Sequence, residues 1–289
     1  MTVRIVGPWR ESAERLAARK DGRVVSVCLP AKNEETTVGR IAAAIRTALM
    51  QGDRPLVDEL LVMDDGSVDG TARVASAAGA TVVSVSDVLR DRPVGRGKGN
   101  VLWRSVAASR GDLIVWCDAD LTSFTPAYVT RLVAPLLGDP TIQLVKGFYE
   151  RPQDGSGSGG GRPTELVARP LLSMYFPELA TIRQPLGGEY AITRDLAERV
   201  PFVDGYGVEV GLLIDTSAAV GAGAIAQVDL GVRTHRHHPL SHLATQAAEI
   251  TAVILQRAGV ALPDPLPPLL DANGVPRAIR ISQRPPIRS

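Results

Sequence analysis

Apolar residues along the chain gather into short unbroken runs that stop at a polar or glycine-rich turn, with stretches of helical spacing between them. Val24-Val25-Ser26-Val27-Cys28-Leu29 is the first run, broken by Pro30; Glu59 to Met63, Thr81 to Val85, residues 112–117, Ile142 to Phe148, Glu189 to Ile192 and Ile225 to Val232 follow. Runs of this length without polar alternation predict strands buried on both faces. Helices are predicted over Glu11 to Arg19, after Asn33, up to about Ala78, over Gly97 to Ala108, Pro126 to Leu137, Thr164 to about Tyr175, around Val208 to Val220, and over Leu240 to Ala258. Asn33 can cap its helix, whose first turn carries Glu34 and Glu35. Strands alternating with helices imply a mostly parallel central sheet flanked by helices, the α/β class. No period of 20 to 50 residues repeats.

The clearest internal boundary is Asp154-Gly155-Ser156-Gly157-Ser158-Gly159-Gly160-Gly161, a flexible linker by composition. It divides residues 1–153 from a second half, 154–262. Beyond Leu262 the chain is rich in proline and arginine with little periodicity, so 263–289 reads as a poorly ordered or partner-docked tail.

Composition narrows the classes. Across 289 residues, 45% of them hydrophobic, a sizeable core is available. The 32 basic and 31 acidic residues nearly cancel, so bulk charge argues for neither nucleic acid nor an anionic membrane surface. Cys28 and Cys117, the only cysteines, end apolar runs and exclude a disulfide framework. No uncharged apolar run reaches the roughly 18 residues of a membrane span. The expectation is a cytoplasmic, soluble chain.

Chemistry concentrates in the loops after strands. Leu113 to Cys117 runs directly into Asp118-Ala119-Asp120, and residues two apart in an extended segment point the same way. In open α/β sheets that edge is where ligands sit. Two converging carboxylates suit Mg²⁺ or Mn²⁺; they could instead cap the helix suggested by Thr122 to Pro126. Pro30-Ala31-Lys32-Asn33-Glu34 either starts a helix or forms a slot for a nucleotide base. Asp65, in the turn opened by Gly66, either caps that turn or accepts hydrogen bonds from a base or ribose. Lys98, between Gly97 and Gly99 at a helix start, is placed to meet a diphosphate, although Gly99 excludes a Walker A loop. His235, His237, His238 and His242, all the histidines of the chain, fall within eight residues. They form a solvated loop or supply a metal ligand. Glu209 follows Gly205-Tyr206-Gly207 as a helix-start cap or a site acid. Gly161-Arg162-Pro163-Thr164, directly before a helix, has the groups to grip a small dianion.

The order of these loops, with the Asp-x-Asp after the fourth strand, resembles the nucleotide-sugar glycosyltransferases of the GT-A fold. Gly159 to Pro170, Gly205 to Leu212 and His235-Arg236-His237 look like the actinobacterial glucosyl-3-phosphoglycerate synthases, over roughly residues 24–260. The resemblance implies a Rossmann-like GT-A sheet with a smaller acceptor-binding C-terminal part. It implies retaining transfer of glucose from UDP-glucose, or a related donor, to the 2-hydroxyl of 3-phosphoglycerate, helped by a divalent ion. Donor contacts would fall to Pro30, Ala31, Lys32, Asn33, Glu34, Asp65, Lys98, Asp118, Ala119, Tyr206, Gly207, Glu209 and Arg233. Asp120 and His235 would hold the metal. Gly161, Arg162, Pro163, Thr164 and His237 would take the acceptor, and Asp118, Asp120, Glu209 and Lys98 would carry the chemistry. Lys32 departs from the apolar or aromatic residue usual at its place. A homodimer is expected by the same resemblance, with neither nucleic acid nor membrane as partner. The rival readings are a lipid-linked transferase of the dolichyl-phosphate-mannose type, which shares the first-half motifs, and a nucleotide-sugar-binding regulator with a dead site.

Overall fold

The computed structural model describes residues 2–7, 11–150, 161–233, 240–271 and 273–288, the side chains of 240–242 excepted. Its strands are β1 (Arg4–Ile5), β2 (Val25–Ala31), β3 (Glu59–Asp64), β4 (Thr81–Ser84), β5 (Leu113–Trp116), β6 (Leu144–Glu150), β7 (Tyr190–Thr193), β8 (Phe202–Val203) and β9 (Ile225–Val232). All but β8 form one sheet in the order β1-β9-β6-β7-β5-β2-β3-β4. Every neighbouring pair is parallel except those of β7, which runs antiparallel to both β5 and β6.

The helices are α1 (Ala13–Ala18), α2 (Val38–Leu49), α3 (Thr71–Ala77), α4 (Gly97–Ala108), α5 (Ala127–Gly138), α6 (Arg169–Tyr175), α7 (Arg194–Arg199), α8 (Val208–Val220) and α9 (Leu240–Arg257). They cover both faces of the sheet and divide the interior into two cores. Leu113 and Val115 of β5 enter one, with Leu16 of α1, Ile41 of α2 and Leu132 of α5. Ile114 and Trp116 enter the other, with Leu102 of α4, Leu213 of α8 and Ile254 of α9. Alternate residues of a strand point to opposite faces, so an unbroken apolar run is what a strand covered twice requires.

Three expectations need correction. The boundary at 154–161 does not separate two folding units, because β7 lies between β5 and β6 and β9 between β1 and β6 in the same sheet. Second-half strands complete a sheet that the first half leaves open. The tail expected to be poorly ordered is docked on its own chain: β12 (Gln283–Arg284) pairs antiparallel with β8, and Ile281 and Ile287 pack against the second core. Two strands of the same length precede it, β10 (Leu269–Leu270) and β11 (Pro276–Arg277), which pair antiparallel with each other. Asn33 is not a helix cap. It sits at φ 59°, and α2 begins only at Val38. The helix expected from Thr164 opens with a single widened turn over Thr164–Ala168 before α6.

Candidate active site

The antiparallel strand β7 sets the geometry of the site. Trp116 of β5 pairs with Tyr190, so the chain leaving β5 at Asp118 meets the chain entering β7 at Gly188 and Glu189. A Cβ on Gly188 would fall onto both carboxylate oxygens of Asp118 and the ammonium of Lys98. Glycine here lets the loop lie directly against the Asp118–Lys98 pair, which any side chain would have to displace. Parallel β9, beside β6, delivers Arg233 to the same edge, its N–H donating to the Glu150 carbonyl at 2.9 Å.

Lys98 arrives from the other side. Gly97 adopts φ +63°, and a Cβ on Gly99 would collide with the Val203 carbonyl, so the first turn of α4 lies against β8. Lys98 Nζ is 2.5 Å from Asp118 Oδ1 and 2.9 Å from Glu209 Oε1. Arg233 donates to the Tyr149 hydroxyl at 2.6 Å, to Glu189 at 3.1 Å and to Asp118 Oδ2 at 3.2 Å, and stands 3.9 Å from Asp120. Lys146, buried beneath, donates to the Gly187 carbonyl and lies 4.3 Å from the centre of the Tyr190 ring.

These charges sort the carboxylates. Burial would raise the Asp118 carboxyl, but Lys98 and Arg233 outweigh it and hold it well below the usual carboxylate range. Asp120 shifts the opposite way, raised by burial and by the neighbouring charge of Asp118. Glu189, fully buried, is also raised by burial, against the pull of Arg233. Burial pushes Lys146 down to about 8, with Glu209 opposing the shift. Lys98 is held well above the ordinary lysine value because Asp118 and Glu209 outweigh its burial.

The expected extended segment ends at Trp116; Asp118 and Asp120 lie beyond β5, Asp120 in a turn, with Ala119 buried between them. Neither caps a helix, since α5 starts at Ala127 after Pro126. Both oxygens of Asp118 are engaged by cations, whereas the Asp120 side chain is 44% exposed. A partly exposed carboxylate raised by burial on its inner side and by its neighbour's charge fits a hard divalent ion, which would relieve that repulsion through oxygen ligands. His235 and His237, the expected metal ligand and acceptor contact, lie outside the described residues. Among the described residues no group of three His, Cys, Asp or Glu side chains could hold a metal by itself.

The expected base slot is built from two loops laced together. Asn33 accepts from the Val68 N–H at 2.9 Å and its own N–H donates to Ser67 Oγ; the Glu34 N–H donates to Thr71 Oγ1 at 2.7 Å. Pro30 and Ala31 end β2, and Lys32 pairs with Asp65 at 3.5 Å across the mouth. Gly207 is pressed onto Val253 and Tyr206 is half exposed beside it. At the Gly161-Arg162-Pro163-Thr164 corner, the N–H groups of Thr164 and Glu165 both donate to the Gly161 carbonyl, which takes them from the anion grip expected of them. Arg162 is exposed there, Thr164 is buried, and the turn packs on α9.

Sequence reasoning missed Glu189, Tyr149, Lys146 and Gly188. The signal present was the pair Gly187-Gly188 directly before an acidic residue at the start of a strand. Among the described residues, Glu189 Oε1, Tyr190 Oη and Arg233 Nε are buried without a hydrogen-bond partner, and buried polar atoms normally have one.

A mostly parallel sheet bearing Asp-x-Asp, lysine and glutamate at one edge defines a nucleotide-sugar glycosyltransferase of the GT-A kind. Residues 26–189 match the family model described as Glycosyl transferase family 2. The chain is 53% identical over 249 residues, 85% of its length and 81% of the relative's, to glucosyl-3-phosphoglycerate synthase of Mycolicibacterium smegmatis. It is 45% identical over 247 residues, 84% of its length and 75% of the relative's, to that of Petrotoga mobilis. The crystal structure of glucosyl-3-phosphoglycerate synthase from Mycobacterium tuberculosis in complex with Mn²⁺, uridine-diphosphate-glucose and phosphoglyceric acid is 44% identical. It covers 99% of this chain and 98% of that chain, with a TM-score of 0.88. The chain belongs to glycosyl transferase family 2 and, within it, to the glucosyl-3-phosphoglycerate synthases. No described helix is long and apolar enough to cross a membrane.

Proposed function

We propose that the protein transfers glucose from UDP-glucose to the 2-hydroxyl of 3-phosphoglycerate, giving glucosyl-3-phosphoglycerate with the anomeric configuration retained. The observation that carries this reading is the match over nearly the whole chain to the Mycobacterium tuberculosis enzyme whose complex holds that donor and phosphoglyceric acid.

The chain's own residues supply what such a transfer needs. Lys98 is about one-fifth exposed, so its ammonium, already fixed by two carboxylates, presents charge to the departing diphosphate without reorganising. Asp118 remains ionised at neutral pH and accepts from hydroxyls of the donor. Mg²⁺ or Mn²⁺ held by Asp120 and His235 would supply further positive charge for the diphosphate. Glu209, seated against Lys98 at 2.9 Å, orients a sugar or acceptor hydroxyl and can assist proton transfer. Asn33, Lys32 and Asp65 line the base slot, with Pro30, Ala31 and Glu34 forming its floor. Arg162 and Thr164 take the acceptor's phosphate, and the positioning they give lowers the entropic cost of bringing the two substrates together.

A cytoplasmic setting and a homodimer belong to the same proposal; both cysteines being buried and unpaired supports the first. The reading is tested by incubating the protein with UDP-glucose, 3-phosphoglycerate and Mn²⁺ and identifying the product. Mass spectrometry should give the glucosylated acid and NMR an anomeric coupling matching the donor's. Hydrolysis to free glucose in its place overturns the acceptor assignment.

A further inference from the structure

The segment 280–288 lies outside the region that carries the sequence motifs, yet it grips both supports of the Lys98–Glu209 ion pair. Each support is a helix start without a side-chain cap: α4 begins after Arg96 and α8 after Gly207. Something else must fix them.

On the α8 side the fixed point is Asp204, 2% exposed. Its carboxylate accepts from Ser282 Oγ at 2.7 Å and from Arg284 at 2.8 Å, and its N–H donates to the Ser282 carbonyl at 2.8 Å. Gly205 follows at φ +73°, its N–H donating to the Arg96 carbonyl at 3.1 Å. Four residues further on stands Glu209. On the α4 side, Arg96 donates to the Arg280 carbonyl and to Glu249 at 2.8 Å, and Glu249 also accepts the Tyr206 N–H at 3.2 Å. Trp103, about two turns further along α4, donates its indole N–H to the Pro285 carbonyl at 2.8 Å. The segment therefore ties two loops to each other at the point where they present a lysine and a glutamate.

We infer that residues 280–288 form a positioning strap for the transferase site, with Arg284 acting through Asp204 to hold Glu209 against Lys98. Arg284 donates to Asp204 and to the Pro93 carbonyl rather than to Lys98, Asp118 or Glu209; it is a positioning residue, and its effect passes through Asp204 and the Gly205 turn. The inference rests on the transferase reading for its kinetic consequence and on hydrogen-bond geometry alone for its structural one.

The test compares the full chain with Arg284→Ala, Arg284→Lys and a chain ending at Ile279. Steady-state transfer of glucose to 3-phosphoglycerate is measured together with melting temperature and backbone hydrogen exchange. Misplaced catalytic groups lower kcat, so Arg284→Ala should lose roughly ten-fold or more in kcat with the acceptor KM changed less than about two-fold. Amides over 203–209 should exchange faster while those of β2 and β5 do not. Arg284→Lys should recover part of the loss. Should the shortened chain not fold, Arg284→Ala decides alone. A lower melting temperature with kcat and the 203–209 amides unchanged makes the tail a structural brace only and overturns the inference. A full chain that transfers no glucose defeats the functional reading instead, and the exchange measurement then still judges the strap.

Discussion

Lys98 Nζ lies 2.9 Å from Glu209 Oε1, joining the first turn of α4 to the first turn of α8 across the mouth of the site. The same ammonium is 2.5 Å from Asp118. Lys98→Met leaves the buried Glu209 without its counter-ion and Asp118 with Arg233 alone, and breaking a buried pair from one side costs about 3 kcal/mol or more. The expected result is a melting temperature several degrees lower together with loss of measurable transfer. Retained turnover in this variant, read by product formation, contradicts the role given to the lysine.

Gly188 is required by contact rather than by backbone angle. The Cβ of Gly188→Ala would overlap both Asp118 oxygens and the Lys98 ammonium. The loop from Gln184 to Glu189 is buried except at Leu186, so the melting temperature of the variant is measured beside its activity. Donor turnover should fall roughly a hundred-fold, the scale expected when catalytic groups move by about an ångström. Unchanged kcat/KM for UDP-glucose in a folded Gly188→Ala protein would show that the loop does not close over Asp118.

Burial pushes Lys146 down to about 8 from its ordinary 10.5. Between these values the unfolded chain binds more protons than the folded one, so the contribution of this group to stability rises with pH across that window. Below pH 8 the ammonium is charged in both states and the contribution is flat. Urea unfolding of the full chain and of Lys146→Met at pH 7.5, 8.5 and 9.5 isolates the group. The difference between the two proteins should move in favour of the native residue by roughly 2 kcal/mol toward the alkaline end. A difference independent of pH contradicts a lysine so placed.

Arg162 is exposed beside buried Thr164, at a corner where the Thr164 and Glu165 N–H groups are already taken by the Gly161 carbonyl. The guanidinium is then the main anion-binding group of that corner. Arg162→Ala should raise the KM for 3-phosphoglycerate about ten-fold or more with kcat little altered, the pattern of lost uniform binding. An unchanged acceptor KM removes the corner from the acceptor site.

Much of this arrangement is legible from residue order. The bounds of α4, α8 and β9 coincide with the expected ones, because Gly97, Gly207 and Gly221 interrupt the pattern where the backbone must turn. The apolar run of β5 marks where Asp118 and Asp120 emerge, although they lie beyond the strand rather than on it. What sequence does not carry is the direction of β7. An antiparallel strand inserted among parallel ones brings its first residues to the same edge as its neighbours' last, and that alone places Glu189 and Gly188 beside Asp118. Arg233, named only through resemblance, and Lys146 depend on the same register. The tail was misread for a different reason. Its strands are two residues long, and it is held by Ser282, Arg284, backbone carbonyls and the isolated apolar contacts of Ile281 and Ile287, too few and too far apart to make a hydrophobic period.

On the proposed function, the edge carrying Lys98, Asp118 and Asp120 moves glucose from UDP-glucose onto a three-carbon phosphorylated acid with the help of a divalent ion. The most direct measurement is UDP release from UDP-glucose, with and without 3-phosphoglycerate, each repeated in the presence of a chelator and with Asp120→Ala. The account predicts release only when acceptor and divalent ion are both present, and none from the variant. Release at the same rate without acceptor, or undiminished by the chelator or by Asp120→Ala, would contradict it.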